Sequence, residues 1–64
     1  MPTNTERVMA ILRLSPGLND DELARASGVD PRELNLICRY LELLNWLRRT
    51  PGRDGKIINT LIVP

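Results

Sequence analysis

Leu23-Ala24-Arg25-Ala26-Ser27-Gly28-Val29-Asp30 joins two helical patterns with almost no chain between them. A helix that reaches Ser27-Gly28 can turn sharply there, because glycine enters the left-handed region without a Cβ clash. Two residues on, Asp30-Pro31-Arg32-Glu33 reads as a new helix start. It has a capping aspartate, proline at the first helical position and glutamate at capping-box spacing. Val29 and Leu34 stand where a hydrophobic staple would plug the junction, and Ala24 is small enough for the following helix to cross closely.

Outward from this turn, the same idiom recurs upstream. Asn19-Asp20-Asp21-Glu22 repeats the capping box, with Leu18 and Leu23 as staple, and predicts a short helix from about Asp20 to Ala26. The negative charge of that first turn favours the helix dipole. Thr3-x-x-Glu6 is a third capping box. It opens a helix with Val8, Ile11, Leu12 and Met9 toward one face, stopped by Ser15-Pro16-Gly17.

Downstream, the third helix is expected from Pro31 to about Leu44, with Asn45 able to take the left-handed position after it. There the period changes from helical to two. Trp46 to Thr50 reads as a strand, Pro51 to Gly55 as a loop with a strong Asp-Gly turn, and Lys56 to Val63 as the returning strand. The expected fold is mainly α with a small β-hairpin, in the order helix, helix, helix, strand, strand. One domain occupies residues 1–64.

Composition narrows the function. A chain of 64 residues buries only about 60% of the surface that its unfolded form exposes. It has one cysteine and no histidine, which excludes an internal disulfide and any ordinary zinc set. A hydrophobic content of 42% suits a folded core. No histidine base, no partnered nucleophile and no glycine-rich phosphate loop is present, so the reading is not an enzyme and needs no cofactor or metal. A lone thiol, no signal-peptide pattern and no long apolar run make a cytoplasmic, non-membrane protein the expectation.

Charge is unevenly placed. Up to Trp46 five Arg stand against seven Asp and Glu, a net −2; from Leu47 onward Arg48, Arg49, Arg53 and Lys56 stand against Asp54, a net +3. An anion would approach the C-terminal part.

The junction motif, followed by Leu41-Glu42-Leu43-Leu44-Asn45-Trp46-Leu47-Arg48-Arg49, resembles the winged helix-turn-helix superfamily of bacterial and archaeal regulators. In that superfamily a similar leucine-glutamate stretch leads through a glycine into the wing, and here Asn45 stands in place of the glycine. The resemblance covers about Glu6 to Val63. It implies sequence-specific duplex DNA binding by a small transcriptional regulator, with the third helix in the major groove and the hairpin wing on the flanking backbone. At 3.6 residues per turn, Leu34, Ile37, Cys38, Leu41 and Leu44 form a core stripe. Arg32, Asn35 and Arg39, with Leu36 at the edge and Pro31 at the helix start, fall on the face that meets DNA in the superfamily. Asn35 can pair with an adenine edge, Arg32 or Arg39 with guanine or a phosphate, and the first amides of this helix with a phosphate. The resemblance makes Arg48, Arg49, Arg53 and Lys56 the wing's backbone contacts.

Plainer readings compete at each point. Arg32, Asn35 and Arg39 also suit a solvated helix face, and the wing cations suit a charged edge strand that discourages aggregation. Cys38 reads as a small buried hydrophobe, and Trp46 as a lid over the core at the helix-strand junction. A second apolar stripe, Leu36, Tyr40 and Leu43, has no use in a helix presented only to DNA. Either the wing and termini cover it or a second subunit does. It supports the alternative of a protein-interaction module without DNA, and a homodimer would reconcile the two.

Overall fold

In the computed structural model, which describes residues 2–62, the elements run α1 (Asn4–Leu14), β1 (Leu18–Asn19), α2 (Asp20–Ser27), α3 (Pro31–Leu43), β2 (Leu47–Pro51) and β3 (Ile57–Leu61). The three helices and the hairpin stand as expected. The end of the returning strand at Val63 lies outside the described residues.

Two of the three capping boxes close as written. The Thr3 hydroxyl accepts from the Glu6 amide while the Thr3 amide donates to the Glu6 carboxylate, and Asn19 and Glu22 repeat the exchange. The Thr3 amide and hydroxyl hold the Glu6 carboxyl below its ordinary value. The third box is half made. Asp30 accepts from the Arg32 and Glu33 amides, but the Glu33 carboxylate instead accepts from the Asn4 side chain and ties the start of α3 to that of α1.

Gly28 takes φ +73 after α2, as the turn requires. Asn45 takes φ +60 after α3. Around it the Trp46 amide donates to the Leu41 carbonyl and the Asn45 amide to the Glu42 carbonyl, the paired bonds of a Schellman end. Asparagine thus does what glycine does elsewhere, at a modest steric cost.

The core is Val8 and Leu12 of α1, Leu23 and Ala24 of α2, Val29 in the turn, Leu34, Cys38 and Leu41 of α3, and Leu47 of β2. Met9, Ile11, Leu18, Ile37 and Leu61 pack around it. Two expected core residues are outside it. Leu44 follows the last helical residue, so the helical wheel no longer governs it, and it is exposed. Trp46 is no lid: it precedes the first residue of β2, Leu47, which takes the inward place, and the indole is exposed.

One element is not foreseen by the sequence. β1 pairs antiparallel with β3, giving a three-stranded sheet in the order β1-β3-β2. Two residues carry no periodicity of their own, and Leu18 already served as a staple. Pro51 lies in β2 and not in the loop, where an edge strand tolerates its missing amide. The turn closes between the Gly52 amide and the Lys56 carbonyl, with Gly55 at φ +83.

Candidate nucleic-acid interface

The face of α3 turned from the core carries the expected residues. Pro31, Arg32, Leu36 and Arg39 are exposed and Asn35 is half-buried. Arg32 and Arg39 make no ion pair among the described residues. Spacing of three, four and seven residues puts Arg32, Asn35, Leu36 and Arg39 on one side of the helix. On that same side Tyr40 and Leu43 follow Leu36. Leu36, Tyr40 and Leu43 are 65%, 58% and 83% exposed, so neither the wing nor any other described segment covers the second apolar stripe.

The start of α3 is closed to anions. Pro31 has no amide hydrogen, the Arg32 and Glu33 amides donate to the Asp30 carboxylate, and the Leu34 amide donates to the Asp30 carbonyl. The expected phosphate seat on these amides is therefore already filled by the cap, a correction to the sequence reading.

The four wing cations divide in two. Arg48 is exposed on β2, and Arg53 is exposed in the turn. Lys56 reaches back to α2, its ammonium 3.4 Å from the Asp21 carboxylate, with both groups in solvent. Such a pair contributes little to stability and opens readily. Arg49 is different: its side chain is 11% exposed and its guanidinium lies 3.0 Å from the Asp20 carboxylate. As placed, it is a strut inside the fold and is not presented to solvent with Arg48.

Strand register explains the division. Leu47 pairs with Leu61 and Arg49 with Asn59, so these four share the core side of the sheet, while Arg48 and Thr60 share the outer side. Asn59 is fully buried at the centre of that inner face, where an apolar residue would be ordinary. Its amide donates to the Leu18 carbonyl at 3.0 Å and to Asp20 at 2.8 Å, and its carbonyl oxygen accepts from Arg49 at 3.3 Å. No buried side-chain nitrogen or oxygen among the described residues is left without a partner. Sequence reasoning missed Asp20 and Asn59. The alternation Leu47, Arg48, Arg49 was the signal that could have turned Arg49 inward.

Cys38 is fully buried. Burial pushes its thiol up to about 11, the Asp20 carboxylate adds to the rise, and Arg49 partly opposes it. It is a core side chain and not a reactive thiolate.

This arrangement is the winged helix-turn-helix fold: three helices, with α2 and α3 joined through a glycine turn, and a hairpin wing packed beside them. The chain superposes on MepR, a transcription regulator of the Staphylococcus aureus multidrug efflux pump MepA, with a TM-score of 0.86 over 98% of its own length. Identity is 15%, and the match spans 48% of the MepR chain, about half its length. No family model matches the sequence, and no match to a curated protein is found. No helix among the described residues is long and apolar enough to cross a membrane.

Proposed function

We propose that the protein binds duplex DNA sequence-specifically as a small transcriptional regulator, with α3 in the major groove and the wing on the flanking backbone. One observation carries this reading: on the winged-helix scaffold, Arg32, Asn35 and Arg39 share the outer face of α3, and neither arginine is held by an internal ion pair. Asn35 suits an adenine edge, and the arginines suit guanine or phosphate. In the wing, Arg48 and Arg53 are the cations available to phosphates, with Lys56 joining them once it leaves Asp21. The likeness to MepR, itself a transcription regulator, supports the reading at the level of the fold.

The exposed stripe Leu36, Tyr40 and Leu43 favours a second reading, an interaction module that docks a protein partner or a second copy of itself. An amide-resolved NMR titration with a mixed-sequence duplex at low and moderate salt separates the two. Under the DNA reading, shifts concentrate on Arg32 to Arg39, Arg48 and the Arg53 to Lys56 turn, and fade as salt rises. Still amides at saturating duplex in low salt would end it, and the apolar stripe becomes the surface to pursue.

A further inference from the structure

Asp20, Arg49 and Asn59 form a closed ring of side chains drawn from one helix and two strands. Asp20 Oδ2 accepts from Arg49 Nη2 at 3.0 Å, and Asp20 Oδ1 accepts from Arg49 Nη1 at 3.4 Å and from Asn59 Nδ2 at 2.8 Å. Arg49 Nη1 also donates to Asn59 Oδ1 at 3.3 Å. We propose that Asp20 is a positioning residue for DNA binding: from the first turn of α2 it clamps β2 and β3 and so sets the angle at which the wing stands to α3. The DNA half of this inference rests on the function proposed above.

The physical case is one of direction. A two-stranded hairpin has little stability of its own. Here its root is seated on the helices by Leu47 and Leu61, and apolar burial is strong but non-directional. A bidentate arginine-carboxylate pair fixes both distance and plane. With the Arg49 side chain 11% exposed and Asp20 31% exposed, water competes with it weakly. Asn59 extends the constraint to β1 through the Leu18 carbonyl, so all three strands are registered against one carboxylate. The pair also withdraws the Arg49 charge from the surface. The same carboxylate would therefore hold the wing in place and limit the cations that meet phosphate to Arg48, Arg53 and Lys56.

Asp20→Asn and Asp20→Glu test this in two arms. Asp20→Asn removes the charge with little change of shape, and Asp20→Glu keeps the charge but displaces it by a methylene. In the free protein, residual dipolar couplings should leave α1, α2 and α3 in their mutual orientation and show the β2-β3 amides rotated in both variants. Wing couplings that match the wild type would overturn the clamp. That arm holds whether or not the protein binds DNA. In the second arm, fluorescence anisotropy with a duplex should show binding weakened about tenfold in both variants. Asp20→Asn makes the protein more positive, so charge alone predicts tighter binding, and tighter binding would refute the positioning role. Combining Asp20→Asn with Arg49→Gln should cost no more than either alone. Should Arg49→Gln by itself lower the salt slope by about one, Arg49 touches phosphate and the clamp assignment is wrong. A wild-type protein that ignores duplex altogether defeats the proposed function, while the dipolar couplings still decide the clamp.

Discussion

Arg39 on α3 and Arg49 on β2 are ten residues apart and chemically identical, yet the fold treats them in opposite ways. Arg39 projects into solvent without an ion pair, and Arg49 lies inside, held by Asp20 and Asn59. The same contrast runs through the two regions. α3 keeps its cations free and its apolar residues Leu36, Tyr40 and Leu43 uncovered, whereas the wing returns two of its four cations to acidic residues of α2. A count of positive residues therefore overstates what the wing offers an anion and gives α3 too little weight.

The largest expected effect probes the free side of the contrast. Replacing both Asn35 and Arg39 with alanine should weaken duplex binding by about a hundredfold or more, since each good base contact is worth about 1–3 kcal/mol. Anisotropy at fixed salt measures it. Unchanged affinity, with the fold intact by circular dichroism, removes α3 from the DNA interface.

Stability should show the reverse ranking. Arg49→Met strands a partly buried carboxylate and is expected to cost about 1–3 kcal/mol in urea unfolding. Arg39→Ala should stay within about 0.5 kcal/mol. Equal costs at the two positions would erase the distinction between strut and surface.

Cys38, beside the strut, provides a pH readout. Its folded-state value is raised from 9.0 to about 11, so the folded protein holds the thiol proton more tightly than the unfolded chain does. Stability from this group is full below about pH 9 and is lost as pH rises through about 11, by about 3 kcal/mol at most. Subtracting the curve of Cys38→Ala, which lacks the thiol, isolates the slope. A flat difference would place the thiol in contact with water.

The smallest effect concerns the uncovered stripe. Leu43→Ser should change monomer stability by no more than about 0.5 kcal/mol, because Leu43 is 83% exposed. Sedimentation of wild type and variant then shows whether the stripe joins two copies: a wild-type dimer that Leu43→Ser dissociates assigns it to self-association.

Much of the fold was legible because its signals are local. Capping boxes at Thr3 and Asn19, the Gly28 turn, the proline start of α3 and the Asp54-Gly55 hairpin each depend on residues within a few positions of one another. So does the inner face of α3, where Leu34, Cys38 and Leu41 follow helical spacing into the core. The errors fall where that spacing stops applying. Leu44 and Trp46 sit on either side of Asn45, whose positive φ breaks the helical phase before the strand parity begins.

The sequence by itself determined the element order, the helix boundaries to within a residue or so, and which residues of α3 face away from the core. These follow from backbone sterics and from periods of 3.6 and two, which need no knowledge of distant neighbours. Only the tertiary structure decided that β1 exists, that Asn59 is buried, and that Arg49 belongs to Asp20 and not to the wing surface. Each of those depends on partners about 29 to 41 residues apart along the chain, brought together by the register of three strands against the start of α2. A charge has no period, so its fate is set by which carboxylate the fold places within reach.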